Sequence, residues 1–269
     1  MSKPHHQLIQ KIIKSHKIPS LPIFSAIKAA DNNEDFFFPI HRVYCIGQNY
    51  REHSIEMGHD PNREPPFFFM KPPDAATTSS HIPYPPMTSN CHYEGELVIA
   101  IGKSGFNIPS ENVRDYIFGY AVGCDITRRD LQKQAKQAGR AWCVAKGFDN
   151  SAPCGAILPK EESTFDFLGL SSSSPSTTDD DTTNSCQLTL KINHEIRQQS
   201  PLNQMIWDIP ELISHLSKFN VLQPGDLIFS GTPAGVGPFE VGDSVVISCG
   251  DLPACEFQIG PPISVRTNE

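Results

Sequence analysis

A chain of 269 residues with a formal net charge of −8 is long enough for a sizeable core, built as one large domain or as one domain with an appendage. No apolar run approaches the roughly 18 residues of a membrane-spanning helix, and no basic block stands out from the acidic balance, which argues against a bilayer or nucleic acid as main partner. Twenty-four prolines and eighteen glycines imply many turns and short elements.

Residues 5–16 (HHQLIQKIIKSH) place Leu8, Ile9, Ile12 and Ile13 on one helical stripe, and a proline-rich passage follows as far as Pro39. Residues 1–39 are therefore read as an N-terminal appendage, with Phe36-Phe37-Phe38 as a clasp against the main domain. The first thirty residues carry lysines and histidines but no acid, a transit-peptide feature. Arginine is absent there and serine sparse, so the reading is cytoplasmic, with a mitochondrial location as the alternative.

Residues 42–47 form a compact strand, and residues 51–58 read as one or two helical turns ended by a glycine. His53 and Glu56 are three apart on that helix and share a side. A carboxylate behind an imidazole fixes its tautomer and raises its basicity, as a general base for water requires. An exposed helix with a chance pair has the same spacing. Residues 59–66 are a polar, proline-bearing loop, and residues 67–72 return to an extended, buried pattern.

The run CHYEGELVIAIG, residues 91–102, puts two carboxylates two residues apart at the head of an apolar stretch. On a strand, Glu94 and Glu96 share one face. Like charges held that close need a cation, a shared proton or open water between them. Residues 117–125 read as a second buried strand that ends on Asp125. Glu94, Glu96 and Asp125 are three hard oxygen donors, half of an octahedral magnesium site, and ordinary acids at a solvated strand end are the alternative. His92 shares their face and is left outside the catalytic set.

Residues 127–138 read as a polar helix closed by Gly139 and starting directly beyond Asp125. Arg129 and Gln132 can both face the acids from it, although a surface ion pair explains Arg129 equally well. Lys146 lies among Trp142, Val144, Ala145 and Phe148 and needs an anionic partner to stay charged; a metal-bound acid substrate would serve. Residues 171–184 (SSSSPSTTDDDTTN) read as a disordered surface insertion. Residues 188–193 alternate like an edge strand, with His194-Glu195 as a hairpin turn. Residues 209–219 form an amphipathic helix with Leu212, Ile213, Leu216 and Phe219 on its apolar face. The strand over 226–229 runs into Gly231-Thr232-Pro233, which offers a hydroxyl and backbone N–H groups to a carboxylate. It is not a phosphate loop, because no Gly-Lys-Ser/Thr follows. Strands near 244–249 and 254–259 close a barrel or roll. The eight cysteines are scattered without a Cys-x-x-Cys pair and read as free thiols in a reducing compartment.

The order of these pieces carries further information. Gly47-Gln48-Asn49-Tyr50 is followed by His53-x-x-Glu56, Phe69-Met70-Lys71-Pro72 and His92-Tyr93-Glu94-Gly95-Glu96. Then come Asp125-Ile126-Thr127-x-Arg129-Asp130-x-Gln132, Ala145-Lys146-Gly147-Phe148-Asp149 and Gly231-Thr232-Pro233-x-Gly235-Val236-Gly237. Together they resemble the fumarylacetoacetate hydrolase family across residues 39–262, and Met57-Gly58-His59-Asp60-Pro61, Pro65-Pro66-Phe67-Phe68-Phe69 and Pro19-Ser20-Leu21-Pro22 look most like its fumarylpyruvate hydrolase and acylpyruvase branch.

The resemblance implies an α+β, mainly β fold: a mixed β-sandwich roll with short peripheral helices over residues 40–265, assembled as a homodimer. It implies Mg²⁺, or Mn²⁺, held by Glu94, Glu96 and Asp125, and a short lid helix carrying His53 and Glu56. The implied activity is hydrolysis of the carbon–carbon bond of an acylpyruvate, a fumarylpyruvate-like 2,4-diketo acid, to pyruvate and a carboxylic acid. His53, oriented by Glu56, activates the water; the metal and Lys146 stabilise the pyruvate enolate; Arg129, Gln132 and Thr232 hold the acid. An oxaloacetate tautomerase or decarboxylase would use the same chemistry, and a non-catalytic binding member of the fold is the remaining alternative. The segment 171–184 departs from the family pattern and is expected to leave the site intact.

Overall fold

The computed structural model describes residues 18–25, 36–58, 64–168 and 186–263. The expected helix over 5–16, the segment 171–184 and residues 59–63 of the expected loop lie outside these.

Two sheets face each other across the main core. The first has six strands in the order β12 (Leu158–Pro159), β9 (Ile117–Cys124), β8 (Gly95–Ile101), β15 (Asp226–Phe229), β3 (Arg42–Gly47) and β4 (Phe67–Lys71). Only the β15–β3 pairing is parallel. The second has five strands in the order β14 (Glu195–Pro201), β13 (Gln187–Ile192), β17 (Ser244–Cys249), β18 (Cys255–Gly260) and β6 (His81–Pro83). A three-stranded ribbon of β10 (Thr127–Arg128), β7 (Cys91–Tyr93) and β16 (Gly237–Pro238) lies beside them. Two short pairs complete the sheet structure: β1 (Ser20–Pro22) with β2 (Phe37–Pro39), and β11 (Ala152–Pro153) with β5 (Ala76–Thr77). The architecture is mainly β with few short helices, as the family resemblance implies.

Strand β8 shows why an unbroken apolar run belongs at the centre. Its odd positions Leu97, Ile99 and Ile101 join the cluster shared with Leu188, Leu190, Ile192, Val245 and Ile247 of the facing sheet. Its even positions Val98 and Ala100 join a second cluster on the other side, with Leu21, Phe38, Cys45 and Phe229. A strand covered on both faces has no reason to alternate with polar residues. Leu21 and Phe38 show that β1 and β2 are part of that second cluster, where Phe38 stacks on Phe118 at 5.1 Å.

Several elements differ from the sequence reading. Strand β13 is interior to its sheet, because β17 pairs along the side that the edge-strand pattern left open to solvent. Its hairpin turn is Asn193-His194, both at positive φ (50° and 69°), the conformation that matches the twist of a two-residue loop. The helix α4 (Ile209–Ser217) starts from a capping box between Asp208 and Glu211 and ends at Ser217. Phe219 therefore lies beyond it and is 70% exposed, while Leu212, Ile213 and Leu216 are buried as expected. Phe67 and Met70 are about half exposed because β4 is an edge strand with a single neighbour. The chain through Glu94 is not one strand: β7 ends at Tyr93 and β8 begins at Gly95 in a different sheet. The helix after Asp125 starts at Arg129, because Thr127 and Arg128 pair with His92 and Cys91. No helix among the described residues is long and apolar enough to cross a membrane.

Candidate active site

Glu94 occupies the break where the chain leaves the three-stranded ribbon for the central sheet. Its carbonyl accepts the Asp125 N–H at 2.8 Å, and Gly95 pairs with Cys124 at the end of β9, so one crossing point delivers all the acids. Oxygens of Glu94, Glu96 and Asp125 lie within 4.8 Å of one another, and all three residues are buried. Their convergence comes from this change of sheet at Glu94 rather than from a shared strand face.

Three cations are folded in with these acids. Lys146, at the end of the short helix α3 (Cys143–Lys146), places Nζ 2.7 Å from both Glu94 Oε2 and Asp125 Oδ2. Arg129, the first residue of α2 (Arg129–Gln137), donates through Nη2 to Glu94 Oε1 and through Nη1 to Gln132 Oε1 at 2.6 Å. Lys71, fully buried at the end of β4, holds Nζ 2.8 Å from Asp125 Oδ1 and donates to the carbonyls of Ile126 and Lys146. Lys146 thus finds its anions in the acidic cluster itself. Among the described residues no lysine or arginine pairs with Glu96, whose Oε2 accepts the Gly231 N–H at 2.8 Å.

The electrostatics follow from this layout. Burial opposes the charged form of Glu94, but Lys146 and Arg129 overcome it and hold the carboxyl well below the usual carboxylate range. Burial, reinforced by the negative charge of Asp125 and Glu94, pushes the Glu96 carboxyl well above that range. Burial also opposes the Lys146 charge, and Asp125 with Glu94 restores it, so the ammonium is held above its ordinary value. Burial, then Arg129, lowers His92 to about 4, so it stands at this site as a neutral imidazole. A buried carboxylate set whose three cations all pair with Glu94 and Asp125 and none with Glu96, and whose only donors are oxygens, is consistent with a hard divalent cation.

Opposite the acids, the helix α1 (Arg51–Glu56) carries His53, whose Nδ1 is 3.1 Å from Glu56 Oε2. Asn49 fixes the start of this helix by donating to the Ser230 carbonyl at 2.8 Å and accepting the Trp207 N–H at 2.9 Å. Glu56 in turn accepts the Gly235 N–H at 3.1 Å. The turn over 231–237 is therefore bonded to both halves of the site, through Gly231 to Glu96 and through Gly235 to Glu56. Both glycines have positive φ (+97° and +96°), and a Cβ on Gly235 would stand 2.2 Å from the Arg197 carbonyl oxygen. The Thr232 hydroxyl, which the sequence offers to a substrate, donates to the Gly95 carbonyl at 2.9 Å and accepts from Gln198 Nε2 at 2.8 Å.

A cavity of about 250 Å³ is lined by His53, Glu94, Glu96, Arg129, Gln132, Lys146 and Thr232, of which His53 bonds to Glu56 and Lys146 to Asp125. Phe69, Met57 and Trp142 give it an apolar wall, and Lys133 and Lys136 line it from α2. Lys71 and Gln198 are the residues that reasoning from spacing misses. Lys71 stands in a strand whose neighbours are aromatic, and Gln198 sits in the polar run Arg197-Gln198-Gln199, where nothing marks it as 1% exposed. Gln198 accepts the Gly95 N–H at 2.9 Å and donates to the Pro233 carbonyl at 2.8 Å, joining the Glu94–Glu96 segment to the turn.

This geometry agrees with what the chain is similar to. It is 36% identical over 203 residues to the fumarylpyruvate hydrolase of Ralstonia sp., covering 75% of this chain and 96% of that protein. It is 35% identical over 218 residues to the mitochondrial oxaloacetate tautomerase of Mus musculus, covering 81% and 90% respectively. The crystal structure of fumarylpyruvate hydrolase from Pseudomonas aeruginosa, in complex with Mn²⁺ and pyruvate, matches with a TM-score of 0.78 and 40% identity, over 91% of this chain and 96% of that one. Residues 42–260 fit the model of the fumarylacetoacetate (FAA) hydrolase C-terminal domain, and with the fold and these relatives agreeing, the chain belongs to the fumarylacetoacetate hydrolase family.

Proposed function

We propose that the protein is a divalent-cation-dependent hydrolase of acylpyruvates, cleaving a fumarylpyruvate-like 2,4-diketo acid to pyruvate and a carboxylic acid. The observation that carries this reading is one cavity lined by Glu94 and Glu96 of a buried carboxylate triad and by a histidine backed by its own carboxylate. The donor set of Glu94, Glu96 and Asp125 fits magnesium or manganese. When bound, such a cation supplies Lewis-acid stabilisation of the negative charge that develops on the pyruvyl head as the bond breaks.

The chain's own residues divide the remaining work. With its Nδ1–H donated in a hydrogen bond to Glu56, His53 presents Nε2 as the acceptor that takes a proton from water as the water attacks the distal carbonyl. The Lys146 ammonium, fixed between Glu94 and Asp125, adds a preorganised positive charge beside the developing enolate. Arg129, Gln132 and Thr232 position the acid from the cavity wall.

Lys133 and Lys136 stand four and seven residues after Arg129 on α2 and line the same cavity, which supports an acyl group bearing its own carboxylate. Replacing both by alanine is expected to lower kcat/KM for fumarylpyruvate about tenfold, a loss of about 1.4 kcal/mol, and to leave acetylpyruvate unchanged. An equal loss on both substrates would remove this reading of the lysines.

Oxaloacetate tautomerisation is the second reading. The Mus musculus relative supports it, and oxaloacetate joins the same pyruvyl head to a distal carboxylate. That reaction needs a base but no attacking water. Pyruvate release from fumarylpyruvate and acetylpyruvate with added Mg²⁺ or Mn²⁺, measured beside keto/enol exchange of oxaloacetate, separates the two. Inert acylpyruvates with rapid exchange would overturn the hydrolase.

A further inference from the structure

Away from the acidic cavity, two thiols meet inside the main core. Cys186 Sγ and Cys249 Sγ are 2.8 Å apart, under about 1 Å beyond the bond length of a disulfide. Their meeting is set by strand register. Leu188 pairs directly with Cys249 across β13 and β17, and Cys186, two residues before Leu188, points to the same side of the sheet. The Cys186 carbonyl accepts the Leu202 N–H at 3.0 Å, which holds its backbone in place, and a Cβ on Gly250 would stand only 2.9 Å from Cys186 Sγ.

The surroundings give a thiol little reason to remain one. Both residues belong to the main hydrophobic cluster, and among the described residues each sulfur's hydrogen bond is the one they share. Among the described residues the buried Tyr50 hydroxyl has no hydrogen-bond partner; burial, then Cys249, Glu96 and Cys186 in its neighbourhood, raise it well above its ordinary value. A disulfide has no S–H to satisfy and suits such a pocket better than two thiols.

We propose that Cys186 and Cys249 form a redox-active dithiol that closes to a disulfide, fastening the start of β13 to the end of β17. With a low-molecular-weight disulfide such as glutathione disulfide as oxidant, Cys186, the less buried residue of the two at 9% exposed against 1% for Cys249, is the entry point. Its thiolate attacks one glutathione sulfur and expels the other as thiolate. The deprotonated Cys249 sulfur then attacks the Cys186 sulfur of this mixed disulfide and expels the second glutathione. Two protein thiols are oxidised to one disulfide, one glutathione disulfide is reduced to two thiols, and the two S–H protons pass to the leaving thiolates.

The test is disulfide mapping of the full chain, held native or refolded from urea, in glutathione buffers from fully reduced to fully oxidised. Remaining thiols are blocked with N-ethylmaleimide before digestion and mass spectrometry. The expected result is a peptide pair joining Cys186 to Cys249, lighter by two hydrogens, absent from C186S and C249S and released by dithiothreitol. Exposed Cys143 serves as the internal control for glutathione access. Cys186 and Cys249 both carrying N-ethylmaleimide at every poise, including after refolding in glutathione disulfide, would overturn the proposal, as would either one cross-linked to a different cysteine. Because the wild-type map decides, a variant that fails to fold leaves the test intact. The oxidised chain is further expected to unfold at a higher urea concentration than the reduced chain; equal midpoints would overturn the fastening.

Discussion

Replacing Glu56 by glutamine isolates the hydrolytic step from the acidic cluster. Glu56 makes two contacts that matter: Oε2 lies 3.1 Å from His53 Nδ1, and Oε1 accepts the Gly235 N–H at 3.1 Å. A glutamine of the same length keeps a carbonyl oxygen for Gly235 but puts a neutral amide against the imidazole. The full Coulomb attraction between unit charges 3.1 Å apart is about 5 kcal/mol at an effective dielectric of 20. The Glu56 side chain is 33% exposed, so solvent screens most of that, and the loss is closer to the ~1.5–3 kcal/mol of a hydrogen bond to a charged group. At 1.36 kcal/mol per decade, this is a fall of about 10- to 150-fold in kcat. The charge on Glu56 matters most when His53 has taken the proton, so KM is expected to stay within about threefold. The assay is steady-state pyruvate release from fumarylpyruvate at saturating Mg²⁺, with Mn²⁺ affinity measured alongside by calorimetry. A variant with kcat within about twofold of wild type, or one that loses metal affinity as much as turnover, would refute the role assigned to the pair.

Three further perturbations address the rest of the site. Lys71→Met leaves the fully buried Asp125 short of one of its cations, and breaking a buried pair costs about 3–5 kcal/mol, so the metal-free melting temperature is expected to fall by roughly 6–20 °C, with part of the loss recovered on adding Mg²⁺; equal losses with and without the ion would separate Lys71 from the triad. Raising Mg²⁺ or Mn²⁺ to about a hundred times its dissociation constant is expected to stabilise the wild type by about 2.7 kcal/mol in thermal melts and to do so much less in Glu96→Gln; an ion-independent melt would remove the triad as a metal site. Gly235→Ala combines a residue held at φ +96° with a Cβ contact of 2.2 Å to the Arg197 carbonyl, so the turn must move; turnover and metal affinity are expected to fall together, and loss of turnover alone would show that the turn serves only Glu56.

Sheet membership was written into the sequence wherever burial was two-sided. The run from Leu97 to Ile101 is apolar at every position because both its faces are covered, and that holds whatever its partners are. Pairing was less legible. Strand β13 alternates as an edge strand does, yet it is interior, because hydrogen-bonding along a strand's second side leaves no trace in its side-chain pattern. Phe219 fits the helical stripe of α4 and lies outside it for the same kind of reason: periodicity continues past the point where the chain's capping ends the helix. At the site, the carboxylates and the His53–Glu56 pair were visible as spacings, since each depends on local geometry. Lys71 and Gln198 were not, since what they do depends on contacts 55 and 103 residues away in the chain.

Those long-range contacts change how the two halves of the site relate. From spacing, the acids that anchor the pyruvyl head and the helix that activates water are separate modules joined only by the substrate. In the structure a single turn holds the Glu96 carboxylate through Gly231 and the Glu56 carboxylate through Gly235. Gln198 then fastens that turn to Gly95, between the first two acids. Rigid packing of this kind transmits small displacements, because neither positive-φ glycine can be replaced without moving the backbone. Positive charge arriving at Glu96 bears on the same turn that orients the base 3.1 Å from Glu56, so occupation of the acidic site and alignment of His53 are expected to be thermodynamically linked. A side-chain change confined to Glu56 can still act on hydrolysis alone, whereas a change to the turn's backbone reaches binding and cleavage together.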